Sequence, residues 1–540
     1  MLRPLAVVCL LLCLPVAGVL GSWLALDADS LAVLRHQWQT VLPGYVGTSL
    51  LLAVAVGAGV AVVGGATAAA VTLFDFSGRR VFEWALLLPL AMPAYVLAYA
   101  YTDFLQYSGP LQSGLRALTG VSGPLWPDVR SLGGAVVLFV LCLYPYVYLL
   151  TRTALAERGV ALMEAARLLG ADLRRRVLEV ALPLARPAVV AGVALALMET
   201  LADYGVGSYF GLATLSTGIY RAWLVMESRD AAAQLASLLL VVVAVALAFE
   251  ARGRRSLRYA VARPGAAGGA EARPIVLSGR HVAWAWAVCG LPVLLGFVLP
   301  VAVLLQQRWV EARTAEFGLP LARFAQWSWT SLRLAGLAAL LAGALALALG
   351  FALRLPAPAH LQAPLRWAGR VVGLGYAVPG AVIAVGILLP VGWVQARWPQ
   401  LGATALFTGT IVGLMYAYLV RFSAVALQSV ESGYARVPLH VDETARMLGT
   451  GRPRLFWRLH LPLLQRSVFA ALLLVFVDVM KELPATLLLR PFDSDTLAVV
   501  AYQFARDERL GEAALPSLAI VAVGLLPVLL LSRALRGPSS

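Results

Sequence analysis

Lysine is all but missing from this chain: Lys481 is the one lysine among 540 residues, and the other fixed positive charges are arginines. A phosphate-cradling loop of the Walker type needs Gly-Lys-Ser/Thr after a strand. Lys481 follows Met480, so no such loop can be built and any nucleotide-driven work requires a separate motor. Charge as a whole is scarce, at 13% of residues, against roughly a quarter in a soluble domain. Cysteine is limited to Cys9, Cys13, Cys142 and Cys289, all within apolar runs, which implies no disulfide framework and reads as small buried hydrophobes. Cys9 and Cys13 are spaced to share a helix face as ligands, but with no neighbouring His or carboxylate the packing reading is preferred. The five histidines, His36, His281, His360, His440 and His460, lie outside the apolar runs and form no spaced ligand set. No nucleophile and base stand out as a pair, which argues against a membrane enzyme.

What the chain has in abundance is apolar length. Hydrophobic residues make up 61% of it and the mean hydropathy is +0.82. Runs able to cross roughly 30 Å of hydrocarbon at 1.5 Å per residue occur near 4–26, 48–74, 84–106, 132–151, 187–203, 232–250, 282–307, 329–353, 367–390, 402–420, 465–480 and 513–532. These twelve predict an all-α polytopic membrane protein. Residues 1–26 also fit a cleaved signal peptide, with Arg3 ahead of an apolar run and small residues near Gly18–Ser22, but the run is long for that role and further spans follow. The net charge of +15 is spread over loops rather than gathered in one basic domain, which argues against nucleic acid as a partner. With the amino terminus in the cytoplasm, the cytoplasmic loops and helix ends hold 29 of the 43 Lys+Arg. That bias is the positive-inside signature, and it places both termini in the cytoplasm.

The chain is duplicated. Residues 164–184 and 443–463, 279 apart, agree at nine of twenty-one positions, where roughly two are expected by chance. The first copy carries Glu164-Ala165-Ala166, Gly170, Val180, Leu182 and Pro183; the second carries Glu443-Thr444-Ala445, Gly449, Leu459, Leu461 and Pro462. Thr48-Ser49-Leu50 is echoed by Thr330-Ser331-Leu332, and Leu90-Ala91-Met92-Pro93-Ala94 by Tyr376-Ala377-Val378-Pro379-Gly380. An even number of spans per half makes two parallel six-helix repeats: 1–250 with its loop 152–186, a cytoplasmic linker 251–281, and 282–540 with its loop 421–466. The linker, rich in Arg, Gly, Ala and Pro, reads as a flexible tether.

Each duplicated loop reads as a short cytoplasmic helix, 159–169 in the first copy, stopped by a glycine suited to a left-handed turn. A stretch with Arg174, Arg175 and Arg176 follows, and then a return into the membrane opened by proline. A surface helix of this kind suits docking on a partner. The spacing Glu-Ala-Ala, three residues, Gly, nine residues, aliphatic, one residue, Leu-Pro resembles the cytoplasmic coupling motif of the permease subunits of binding-protein-dependent ABC importers. The first copy matches in full; the second departs by Thr444 in place of the first alanine. The resemblance implies the type I ABC importer permease fold, with two permease halves fused in one chain in the bacterial inner membrane. It further implies two copies of a cytoplasmic ATPase subunit docking around Glu164, Ala165, Ala166, Gly170 and Glu443, Thr444, Ala445, Gly449. A periplasmic substrate-binding protein is the remaining partner. ATP is then used by the partner, and no cofactor is expected in this chain.

Beyond each Leu-Pro come acids: Glu199 and Asp203 in the first half, Asp478 and Glu482 at the same 279-residue shift. Each pair is spaced i, i+4 on one helix face, near the extracytoplasmic interface. Acids at this depth are functional candidates and offer hard oxygen ligands for a cation; the alternative is solvation, or pairing with Lys481 and Arg221. The flanking stretches, Ala202-Asp203-Tyr204-Gly205 through Gly211, Thr217 to Trp223, and Met480 through Pro491 with Asp495-Thr496-Leu497, resemble the ferric-iron branch of these permeases. Thiamine, polyamine and phosphonate importers share the motif and remain alternatives, as does an ion-coupled secondary transporter, which has no use for paired docking loops.

Overall fold

A computed structural model describes residues 2–25, 28–261, 274–314, 321–355 and 359–535. The part of the linker from 262 to 273 lies outside the described residues. Among them, eleven helices are long and apolar enough to cross a membrane, and a twelfth span appears when the bent pair Arg79–Ala91 and Ala94–Thr119 is counted as one. Helices dominate because lipid offers no partner for a free N–H or C=O. The sheet among the described residues is a two-residue parallel pairing of Phe74–Asp75 with Ile275–Val276.

The prolines of the third and ninth spans break their helices outright. Pro93 and Pro379 sit at φ −61° and −58° in extended conformation, each after a 3-10 turn, Leu88–Ala91 and Gly375–Ala377, and each at the start of a new helix, Ala94–Leu105 and Gly380–Arg397. The ninth span is therefore Gly380–Arg397, displaced from 367–390. The tenth is Ile411–Tyr434 rather than 402–420, because Ala403–Gly409 forms a separate short helix and the Thr410 hydroxyl caps the next one. The spans after the two motifs are longer than 187–203 and 465–480, at Leu173–Ala202 and Arg452–Met480. Instead of starting afresh at Pro183 and Pro462, helix runs into them through π-helical turns at Arg176–Ala181 and Phe456–His460. The wide turn falls where the proline that follows has no N–H to give.

The chain forms two compact units that do not coincide with the sequence halves. One comprises Met1–Trp38, Ile219–Leu240 and Pro320–Val500; the other comprises Gln39–Gly218, Val241–Leu319 and Ala501–Ser540. In the second of these, Leu42–Leu73, Leu132–Leu168 and Leu182–Ala202 pack on one another, while Leu299–Thr314 lies against Leu510–Leu535 and Ala94–Leu105. The first repeats the plan with Leu321–Arg354, Ile411–Tyr434 and Leu461–Met480, and here Leu2–Gly21 lies against Gly380–Arg397. Each unit thus takes its opening helix from the other half of the sequence. Of the range read as linker, helix Arg229–Val261 covers the first part and Ile275–Val276 pairs with Phe74–Asp75.

Hydrogen bonds repeat along with the sequence. The Ser49 hydroxyl accepts from the Leu215 N–H at 2.9 Å, and the Ser331 hydroxyl from the Leu497 N–H at 2.8 Å. Both serines are buried, and each satisfies the start of a helix in its own unit. This is the physical content of the Thr-Ser-Leu echo.

Candidate functional site

In the first copy the motif is the end of a single 37-residue helix, Leu132–Leu168, rather than a separate helix over 159–169. In the second copy Ile411–Tyr434 ends, and the motif forms its own helix, Leu439–Met447, entered through Pro438. Proline at 438 disfavours helical backbone before it; at the equivalent position stands Gly159, which leaves the helix unbroken.

The two copies converge at their ends. Gly170 and Gly449 adopt φ +83° and +75°. The N–H of Gly170 donates to the Arg167 carbonyl and that of Ala171 to the Ala166 carbonyl; those of Gly449 and Thr450 donate to Arg446 and Ala445 in the same way, all at 2.9–3.0 Å. This double closure ends a helix by satisfying its last carbonyls, and the positive φ strains any residue with a Cβ. Glu164, Ala165, Glu443 and Thr444 are exposed, Ala166 and Ala445 half-buried, and the residue ahead of each glutamate, Met163 or Asp442, is buried. The fully displayed apolar side chains come just before the glycines. Leu168 and Leu169 are 83% and 88% exposed, and Met447 and Leu448 are 88% and 80% exposed. They lie beyond the apolar membrane-length segments Leu132–Ala156 and Ile411–Tyr434. Sequence reasoning centred on the Glu-Ala-Ala triplet and passed over these tips. Their signal was a pair of large apolar residues between an arginine and a helix-ending glycine, twice.

The four acids separate into two kinds. Asp203 ends helix Leu182–Ala202, and its Oδ2 accepts from the N–H groups of Val206 and Gly207 at 2.9 and 3.3 Å. Glu482 accepts at Oε1 from the Ala485 N–H and at Oε2 from the Thr486 N–H, at 2.9 and 3.0 Å. Each therefore caps the short helix that follows its span, Gly205–Tyr209 or Pro484–Leu489. Glu482 is also buried against Arg421, 3.4 Å away, and takes a hydrogen bond from the Thr486 hydroxyl at 2.5 Å. A Cβ at position 380 would lie 2.8 Å from both the Arg421 guanidinium and the Glu482 carboxylate, which is why glycine follows Pro379. Asp478 pairs with Lys481 at 2.9 Å and is half-buried, as is Glu199. Glu199 and Asp203 belong to one compact unit, Asp478 and Glu482 to the other. Among the described residues no group of three or more His, Cys, Asp or Glu is arranged to hold a metal ion.

At the opposite end of helix Leu132–Leu168 from the motif, a recess of about 580 Å³ is lined by Thr102, Gln112, Trp126, Asp128, Arg130 and Glu508 among others. Arg130 reaches Glu508 at 2.8 Å and lies over the Tyr209 ring at 4.6 Å. The hydrogen bond from Arg130 holds the Glu508 carboxyl below the ordinary glutamate range, against a smaller opposing effect of burial.

Comparison with known proteins gives these features a family. The sequence profile of the binding-protein-dependent transport system inner membrane component matches residues 61–253 and again 360–536, one match per half. An Fe(3+)-transport system permease protein of Haemophilus influenzae is 25% identical over 492 residues, covering 90% of this chain and 88% of that one. A putative 2-aminoethylphosphonate transport system permease protein of Salmonella typhimurium is 27% identical over 168 residues, 31% of this chain and 60% of its own length. A probable molybdenum ABC transporter permease protein of Haloferax volcanii is 34% identical over 131 residues, 24% of this chain and 45% of its own. With two profile matches spanning more than half of the residues, twelve membrane-length segments and a duplicated motif, the chain belongs to the binding-protein-dependent transport system inner membrane components, as a fused two-domain permease of an ABC importer.

Proposed function

We propose that this permease carries ferric iron inward, handed over by a periplasmic binding protein and driven by two copies of a separate ATPase that dock on the two motif loops. The observation that carries the docking role is the pair of displayed tips, Leu168-Leu169 and Met447-Leu448, each presented at a glycine-closed helix end. Both loops and both termini then face the cytoplasm, in keeping with the arginine bias, and the ends bearing Arg130 and Glu508 face the binding protein. Coupling runs through Glu164, Ala165, Ala166, Gly170, Glu443, Thr444, Ala445 and Gly449, and the chain holds no cofactor, the ATP being consumed by the partner. Substrate class rests on similarity to the Fe(3+) permease over nearly the whole of both chains, where the phosphonate and molybdenum relatives match about a quarter to a third of this one.

In this reading the pathway is lined by four acids. Glu199, Asp203, Asp478 and Glu482 supply the hard-oxygen contacts for a passing cation, Asp203 and Glu482 also holding the helix after each span and Asp478 exchanging its Lys481 partner for the cation. Alternating access follows: ATP closes the ATPases, the motif loops move, the bundle opens toward the loaded binding protein, and hydrolysis resets it. Uptake of radioactive ferric iron by vesicles containing the permease, its ATPase and its binding protein tests the reading, with 2-aminoethylphosphonate as the competing substrate. Iron accumulation that requires ATP supports it; accumulation of the phosphonate alone reassigns the substrate.

A further inference from the structure

The second motif helix is held from behind by a buried polar cluster. Asp442, immediately before Glu443, is 2% exposed. Its Oδ1 lies 2.9 Å from His460 Nε2, and its Oδ2 accepts from Arg354 Nε at 2.7 Å. His460 Nδ1 lies 3.1 Å from the Tyr434 hydroxyl, so the two ring nitrogens join Asp442 to Tyr434. Arg354 uses its remaining nitrogens on the carbonyls of Tyr434 and Pro438, at 3.1 and 3.0 Å. The Phe351 ring stands edge-on to His460 at 5.2 Å. These side chains come from the ends of Leu321–Arg354 and Ile411–Tyr434, from the motif helix, and from the π-helical turn Phe456–His460. Although His460 was placed outside the apolar runs by sequence, it is buried within the span Arg452–Met480. Burial by itself would raise the Asp442 carboxyl, but the hydrogen bonds from Arg354 and His460 outweigh it and hold the group below the usual aspartate range.

The first half fills the same positions with hydrocarbon except at Arg354, whose counterpart at the 282-residue shift is Thr72, a buried residue whose hydroxyl makes no hydrogen bond. At the 279-residue shift, Tyr434, Asp442 and His460 correspond to Leu155, Met163 and Ala181, and at the 282-residue shift of the Thr-Ser-Leu echo Phe351 corresponds to Ala69. Leu155, Met163 and Ala181 are members of one buried apolar cluster with Leu73 and Ala185, against which Ala69, Phe74, Val177 and Ile275 pack. The backbone explains the difference in chemistry. The first motif helix is the last part of Leu132–Leu168 and moves with its span, but the second is cut from its span at 435–438. Apolar contact is non-directional and lets surfaces slide, whereas a satisfied buried hydrogen-bond network has one geometry.

We propose that Asp442, His460, Arg354 and Tyr434 are positioning residues that restore the rigidity lost at Pro438, so that movement of the second motif helix reaches three spans together. The first motif achieves the same through an unbroken helix and needs no such clasp. This inference rests on the importer reading above, in that the motif helix must be moved by an ATPase. Its test is the amount of radioactive ferric iron taken up per ATP hydrolysed, in vesicles holding the full permease with its ATPase and loaded binding protein.

Asp442→Ala and His460→Ala are expected to assemble with the ATPase and hydrolyse ATP while uptake per ATP falls several-fold. His460→Gln, which keeps an amide N–H for Asp442, restores the ratio. A graft of the other half's side chains, F351A/R354T/Y434L/D442M/H460A, fills the positions without directional bonds and should show the same uncoupling; it keeps the test decisive if the single variants do not assemble. Unchanged uptake per ATP in the variants that assemble overturns the proposal, and so does failure of all of them to assemble, which makes the cluster a folding element. Absence of ATP-dependent uptake by the unaltered permease fails the importer reading instead.

Discussion

Asp203 and Glu482 occupy equivalent positions and make equivalent caps, yet their surroundings predict different costs of substitution. Asn caps a helix about as well as Asp, so Asp203→Asn should leave the thermal unfolding midpoint of the purified permease nearly unchanged. Glu482→Gln removes the buried partner of Arg421, and breaking a buried pair from one side costs about 3–5 kcal/mol; a drop in midpoint no larger than that of Asp203→Asn would contradict this. The Arg130–Glu508 pair adds a pH dependence. Because the folded carboxyl titrates below its ordinary range, its contribution is complete above that range and is lost as pH falls through the lowered value. Glu508→Gln should therefore lower the midpoint near neutral pH, by progressively less as pH falls from the ordinary glutamate range, and make no difference once the pH is below the lowered folded value. At this scale the sequence was legible for residue type and less so for role. An acid ending an apolar run looks the same whether it meets solvent, a cation or the N–H groups of the next helix, and that helix, five or six residues long, leaves no periodic trace.

Among elements, the punctuation carried most. Gly170 and Gly449 mark helix ends because their backbone is left-handed, and alanine there should cost about 1 kcal/mol each, measurable as parallel shifts in the unfolding midpoint of the two single variants. Pro93 and Pro379 were visible as breaks, but whether a helix bends or stops at proline depends on the neighbours that take up the freed carbonyls. Pro438 and Gly159 were visible too. Their consequence, a detached helix in one half and a continuous one in the other, was hidden by the high identity of the motifs that follow. The polar cluster behind the second motif escaped because its members are spread over more than a hundred residues, from Phe351 to His460, and only folding assembles them.

For the molecule as a whole, length, hydropathy and the 279-residue repeat suffice to give a duplicated bundle, since each follows from local composition. The exchange of opening helices between units does not follow, because sequence distance says nothing of which half a helix packs against. The junctions after Gly218 and Val500, 282 residues apart, show that the exchange is itself repeated. Two half-sized copies expressed together should accordingly associate and reconstitute transport, while either alone should fail to form a stable unit in detergent, each lacking the helix the other supplies. The central claim is that a separate ATPase drives this permease through both displayed tips, and vesicle uptake of radioactive ferric iron tests it most directly. Uptake that needs ATP and the co-expressed ATPase, and that is abolished when Leu168-Leu169 or Met447-Leu448 is replaced by aspartates with the permease still present in the membrane, is the predicted result. Uptake that persists without the ATPase and collapses on adding an uncoupler would contradict it.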